Sequence, residues 1–190
     1  MTDHLNTTYT HRIEPDIQRL TSGWRQVNSR LRQRLTELRA EDFLLTSYEG
    51  YWPIWAILGH LAGMRVYWLC GILGQAGADS TPFPNADGEG WEDHPDVPRS
   101  KDEVIGAIDS TWRIVERWLE GWSPDRLEQS FKRTLRDGTV QVQSHHSVLV
   151  RVMTHDAFHA GEGSVILGTH GLEAIDLWRG LELEPAPIAK

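Results

Sequence analysis

Two histidines and a glutamate near the carboxyl-terminal end of the chain have the spacing of a metal site on a helix. His155 and His159 are four residues apart, and Glu162 follows three residues later. On an α-helix these side chains span roughly 60° of the circumference, so they share one face. Neutral imidazoles one turn apart can bind the same metal ion. Two histidines leave such a site incomplete, so another ligand must come from elsewhere in the chain.

Four long helices are predicted to position these residues, because apolar side chains recur at three- and four-residue intervals. A β-hairpin is expected within residues 130–143, with Asp137-Gly138 as a two-residue turn. The predicted fold is all-α, a four-helix bundle with a small β-hairpin before the last core helix. The predicted helices run from Glu14 to about Arg39, from Trp52 to about Gly74, from Ser100 to about Gly121, and from Ser144 to Gly168 or Gly171.

The segment 75–99 interrupts the helical pattern with glycines, prolines and acidic residues. Loops of this length are uncommon in compact domains and often cover a functional site. Phe83 and Trp91 are its large aromatic residues, and we expect them to pack down over a pocket.

Composition excludes several classes of function. A net charge of −8 over 190 residues gives no electrostatic footprint for nucleic acid. The apolar stretch Tyr51–Leu73 contains His60 and Arg65, which favours a buried core helix over a membrane span. The amino-terminal residues lack a signal-peptide pattern, and the single cysteine, Cys70, suits a reducing compartment. We therefore expect a cytoplasmic protein with no membrane partner.

His60 is the candidate for the third ligand, because it lies within the apolar second helix. In a bundle, a histidine on one helix can meet a pair on a facing helix around a metal ion. A core histidine with a satisfied hydrogen bond is the alternative, and both interpretations stay open. A zinc protease is disfavoured, since HDAFH carries Asp156 where HExxH needs the longer glutamate.

The other six histidines are not expected to be ligands. His145 and His146 lie at a helix start and should face solvent, and His170 lies at a helix end. The rest fall in predicted loops or termini: His4, His11 and His94.

Two segments resemble the DinB-like superfamily, also called the YfiT-like metalloenzymes. The segment from Trp55 to Trp68, WAILGHLAGMRVYW, is similar to its second helix. The segment from His155 to Leu172, HDAFHAGEGSVILGTHGL, is similar to its last core helix. The resemblance covers roughly residues 17–178. The order of one histidine, a hairpin and then HxxxH is more specific than either motif alone.

This resemblance implies a four-helix bundle, often a homodimer, that holds one divalent metal ion such as zinc or nickel. Matched residue by residue, the ligands are His60, His155 and His159. Some relatives have a glutamate at one ligand position, whereas here histidine stands at all three. Glu162 is therefore expected to support a ligand or to act as an acid or base.

Characterised relatives use low-molecular-weight thiols, so the resemblance implies a metal-dependent thiol S-transferase acting on a small-molecule substrate. Two alternatives stay open: a metal-hydroxide hydrolase with Glu162 or Asp156 as base, and a non-catalytic metal-binding dimeric module. Cys70 is not expected to be the nucleophile, because nothing nearby in sequence suggests activation. The pocket wall is expected to come from an aromatic residue among Trp52, Trp55, Trp91 and Phe83.

The chain is expected to form one domain. The predicted boundaries are a flexible amino terminus at 1–13, the bundle at 14–180 and a carboxyl-terminal tail at 181–190.

Overall fold

The computed structural model describes residues 17–135 and 137–176. The predicted flexible amino terminus, the predicted start of the first helix at Glu14 and the predicted tail at 181–190 lie outside these residues. The elements are α1 Ile17–Glu37, α2 Ile54–Val66, α3 Lys101–Glu120, α4 Pro124–Glu128, β1 Ser130–Thr134, β2 Val140–Ser144 and α5 His145–Thr169. The predicted all-α bundle with a small hairpin is confirmed.

Helix α2 is the central helix, because it packs against both α3 and α5 while α1 closes the other side of those two helices. Eleven of its thirteen residues are buried. The helix continues as a π-helical stretch, Tyr67–Ile72, toward the predicted end at Gly74. No helix among residues 17–135 and 137–176 is long and apolar enough to cross a membrane.

Side-chain caps set the starts of α3 and α5 where the sequence predicted them. Ser100 accepts a hydrogen bond from the Glu103 backbone, and Glu103 accepts one of 2.9 Å from the Ser100 backbone. This reciprocal arrangement satisfies two amide groups that have no partner within the helix. Ser144 caps α5 by accepting from the Ser147 backbone amide at 3.2 Å. The cap therefore fixes where the helix that carries His155 and His159 begins.

The hairpin pairs β1 with β2 in antiparallel register, with Phe131 opposite Gln143. The predicted two-residue turn is wrong. The Leu135 amide donates to the Thr139 carbonyl at 2.8 Å, so three residues, 136–138, separate the closing pair. Gly138 has a φ of 83°, a left-handed conformation that glycine adopts without a steric penalty. The glycine thus fills the last position of a three-residue loop.

The loop 75–99 packs down directly on α2 through two aromatic rings, and the expected pocket beneath them stays a prediction. Phe83 and Trp91 are buried, and their ring centroids are 5.4 Å apart. Gly59 of α2 allows this approach, since a Cβ atom there would lie 2.6 Å from Cε3 of Trp91. The absence of a side chain at position 59 therefore lets the loop dock one residue away from His60.

Candidate metal centre

Three histidine side chains converge between α2 and α5. The Nε2 atom of His155 lies 3.1 Å from Nε2 of His60 and 3.2 Å from Nε2 of His159. All three candidate ligand atoms lie within 4.8 Å of one another. His159 is buried, and His60 and His155 are half-buried. The structure thus brings together the three residues that the sequence singled out.

The separations of these nitrogens fit a shared metal ion. Zinc–imidazole bonds of about 2.0–2.1 Å in a tetrahedral site place two ligand nitrogens about 3.3–3.4 Å apart. The two observed distances are close to this separation. Hydrogen bonding does not explain why three Nε2 atoms face one another. Imidazole suits zinc, nickel, copper and iron, so the donor set fits a divalent transition metal without selecting one.

Two carboxylates contact the outer nitrogens of the cluster. Glu92 contacts Nδ1 of His60, and Oε2 of Glu162 lies 2.6 Å from Nδ1 of His159. A carboxylate that accepts from Nδ1–H leaves Nε2 deprotonated and fixes the orientation of the ring. Nδ1 of His155 is buried without a hydrogen-bond partner among the described residues. Two of the three imidazoles are therefore held with Nε2 available to a metal.

Glu92 is a site residue that the sequence did not single out. It lies in the loop 75–99, next to Trp91, and its side chain is only 7% exposed. The available signal was its position beside an aromatic residue that packs down. The loop contains several other acidic residues, and nothing in the sequence distinguishes Glu92 from them.

Burial keeps the imidazoles of His155 and His159 neutral. It lowers the pKa of His155 to about 3, with further lowering from the neighbouring His159 and His60. Burial also lowers the pKa of His159, although the nearby Glu162 carboxylate opposes that change. Neutral imidazole is the form that binds metal, so no proton needs to leave these rings at neutral pH.

The metal-free protein is expected to lose stability on acidification. The folded-state pKa of His155 is about 3 against 6.5 for an ordinary histidine, so the unfolded chain takes up a proton first as the pH falls. The free energy of unfolding should fall by about 1–2 kcal/mol for this group between pH 7 and pH 5. Urea denaturation at the two pH values measures the fall, which should shrink in His155→Gln. An equal free energy of unfolding at pH 7 and pH 5 would contradict this prediction.

Replacing Glu92 by glutamine is expected to weaken zinc binding by about 10–100-fold, because the ring of His60 loses its charged partner. Competition with a fluorescent chelator measures the dissociation constant. Glu89→Gln is a matched control, since Glu89 lies in the same loop and pairs with the exposed His94 at 2.8 Å. Equal zinc affinity in Glu92→Gln and Glu89→Gln would show that Glu92 does not contribute to the site.

Glu162 has a second contact on its other oxygen. The hydroxyl of Tyr51 donates to Oε1 of Glu162, and this bond raises the pKa of Tyr51 to about 12. Both carboxylate oxygens are therefore occupied, one by Tyr51 and one by His159. This arrangement favours a role for Glu162 in orienting His159 over a role as a free acid or base.

Asp156 is not available as a base, so that candidate is wrong. Its side chain is buried, and Oδ2 accepts from Nε of Arg65 at 2.8 Å and from Nε1 of Trp24 at 2.7 Å. Burial raises the pKa of Asp156, and the adjacent Arg65 charge opposes the rise. This carboxylate faces the bundle interior, away from solvent.

Among the four candidate aromatic residues, only Trp52 contacts a histidine of the cluster. Its ring centroid is 5.3 Å from that of His60, and the side chain is exposed. Trp55 is buried in the core, whereas Phe83 and Trp91 are packed on α2. An apolar groove of about 550 Å³ lies beside Glu162 and is lined by Tyr48, Tyr51, Phe158 and Val165, among others.

Cys70 is half-buried, and burial raises the pKa of its thiol. A raised pKa lowers the thiolate fraction at neutral pH, which agrees with an inert cysteine.

The remaining histidines lie outside the cluster. His94 and His146 are exposed, and His170 at the end of α5 donates to the Thr46 carbonyl at 2.8 Å. The prediction for His145 is wrong, because its ring is half-buried and packs edge-on against Trp122 and Phe131. His4 and His11 lie outside the described residues.

Comparison with known proteins gives the family. The sequence profile of the DinB superfamily matches residues 23–162. A DinB-like protein of Bacillus cereus ATCC 10987 has a similar fold, with a TM-score of 0.53 and 21% sequence identity over 82% of this chain and 93% of that one. No protein with a curated description matches the sequence. The profile match covers most of the chain, which therefore belongs to the DinB superfamily.

Proposed function

We propose that this chain is a metal-dependent enzyme that uses His60, His155 and His159 to hold one divalent ion, zinc or nickel. It joins the sulfur of a low-molecular-weight thiol to an electrophilic carbon of a small-molecule substrate, and the thiol proton and the leaving group of the substrate are released. The convergence of three Nε2 atoms is the observation that supports it most. Three neutral nitrogen ligands leave a coordination position free, which is typical of catalytic sites.

A divalent ion held by these three histidines would lower the pKa of a bound thiol and so would supply a nucleophile near neutral pH. The protein residues hold the arrangement in place. Glu92 and Glu162 orient the rings of His60 and His159, and burial keeps His155 and His159 neutral. Tyr51 retains its proton and donates it to Glu162 in a hydrogen bond, which keeps that carboxylate aimed at His159.

The apolar groove beside Glu162 supports a substrate with an apolar body. Tyr48, Phe158 and Val165 are exposed there, although large apolar side chains generally gain from burial. A bound molecule would cover them and exclude water from the adjacent cluster. The electrophilic centre of the substrate would then lie at the end of the groove nearest the histidines.

The test is an assay with and without thiol. The protein is loaded with zinc or nickel, its metal content is measured by elemental analysis, and turnover of 1-chloro-2,4-dinitrobenzene is followed with a panel of small thiols. We expect product only with both metal and thiol. Ester hydrolysis without thiol would favour the hydrolase instead, and no turnover with any thiol would favour a non-catalytic metal-binding module.

A homodimer and a cytoplasmic location belong to the same proposal. Membership of the DinB superfamily supports the homodimer, and the single cysteine supports the cytoplasmic location. Light scattering after size-exclusion chromatography measures the oligomeric state, and a monomer at micromolar concentration would contradict the dimer.

A further inference from the structure

Two arginines converge on one tryptophan at the carboxyl-terminal end of α2. The guanidinium carbons of Arg133 and Arg151 lie 4.7 and 4.8 Å from the ring centroid of Trp68. Arg133, from β1, also donates to the hydroxyl of Tyr67 at 2.5 Å. We call Arg133 and Arg151 the arginine pair.

Arg133 is half-buried and Arg151 is exposed, and neither has a carboxylate partner of the kind that two arginines of the bundle have. Arg65 pairs with Asp156 at 2.7 Å and Arg32 with Asp109 at 2.9 Å. Within residues 17–135 and 137–176, neither Arg133 nor Arg151 forms an ion pair with an acidic side chain. Both guanidinium groups lie 4.7–4.8 Å from the same ring centroid without a counter-charge among the described residues, so an anion near them would be attracted by each.

The arginine pair lies along the same α2–α5 contact as the histidine cluster. Arg151 is one turn before His155 on α5, a rise of about 6 Å, and Trp68 is two turns after His60, about 12 Å along α2. The arginine pair therefore lies within about one to two helical turns of the histidine cluster along these two helices.

A groove of about 560 Å³ with both polar and apolar walls adjoins Arg151. Its walls include the hydroxyls of Ser144 and Ser147 at the start of α5 and the amides of Gln141 and Gln143 on β2. Hydroxyl, amide and guanidinium groups all donate hydrogen bonds, and the forked guanidinium matches the geometry of carboxylate and phosphate oxygens. The Ser147 hydroxyl already donates to the Ser144 carbonyl and the Gln143 amide to Gln141, so the Arg151 guanidinium is the main donor of a lining that has no acidic side chain.

We propose that the arginine pair forms an oxyanion-binding subsite that takes the carboxylate or phosphate group of the small molecule bound at the histidine cluster. Assigning the other end of that molecule to the histidines rests on the proposed function. The subsite itself stands on the arginine pair and the groove beside Arg151.

The direct test follows the side-chain Nε–H resonances of Arg133 and Arg151 by NMR in zinc-loaded protein titrated with inorganic phosphate. We expect saturable shifts of both signals that sodium chloride at equal ionic strength does not produce. Arg151→Met should raise the phosphate dissociation constant measured from the Arg133 signal by about tenfold or more. Arg113→Met, which replaces an exposed arginine of α3, should leave it unchanged. Absence of a saturable shift in the native protein would overturn the subsite.

A second measurement connects the subsite with the histidine cluster and distinguishes the source of the oxyanion. Cobalt-substituted protein is titrated with 6-mercaptohexanoate and with the neutral 6-mercaptohexanol, using the sulfur-to-cobalt absorption band. The carboxylate should bind about tenfold more tightly, and the ratio should fall to about one in Arg151→Met. An unchanged ratio would overturn the link to the cluster. If neither thiol binds, the proposed function fails, and the phosphate titration still decides the subsite.

Discussion

His159→Ala is expected to remove stoichiometric metal from the protein. The variant lacks one of three converging nitrogens, and Glu162 loses the Nδ1 group that it contacts at 2.6 Å. Loss of an outer carboxylate costs about 10–100-fold in metal affinity, so loss of a ligand should cost more than about 100-fold. Elemental analysis of the purified protein and competition with a chelator of known affinity measure the change.

His94→Ala is the matched control, because it removes an exposed histidine outside the cluster. It should bind metal as the native protein does. Added zinc should raise the melting temperature of the native and control proteins and leave that of His159→Ala almost unchanged, since a ligand stabilises only the state that binds it. Equal metal content in all three proteins would exclude the histidine cluster as the metal site.

Arg65→Met is expected to destabilise the fold by about 3–5 kcal/mol, because it leaves the buried Asp156 carboxylate without its cation. The two side chains are 1% and 2% exposed. Arg65 also donates to Oδ1 of Asn28 at 2.9 Å and lies close to the Ile108 carbonyl, so it joins α2 to α1, α3 and α5. Urea or guanidinium denaturation measures the loss in the free energy of unfolding.

A double variant separates the cost of an unpaired charge from the worth of the pair. Arg65→Met combined with Asp156→Leu should be clearly more stable than Arg65→Met alone, since apolar replacement of a buried pair is often close to neutral. Arg113→Met, at an exposed position, should change stability by less than about 0.5 kcal/mol. If Arg65→Met were as stable as this control, the Arg65–Asp156 pair would have no role in stability.

The part of the candidate site on α5 was predictable from the sequence, because helix geometry is local. Spacings of four and three residues place His155, His159 and Glu162 on one face whatever surrounds the helix. The caps at Ser100 and Ser144 were predictable for the same reason, since each depends on residues within one turn. His60 required one further step, that two apolar helices face each other in a bundle.

The roles of Glu92, Tyr51 and Asp156 were decided by tertiary structure. Glu92 reaches His60 only because Trp91 packs on Gly59, and Tyr51 reaches Glu162 across 111 residues of sequence. Asp156 had the spacing of a catalytic acid, yet the buried Arg65 occupies it. Contacts between distant segments depend on how helices and loops pack, and short-range periodicity carries no record of that packing. The sequence by itself therefore determined the helices and the three histidines, whereas the packing decided which charged groups surround them.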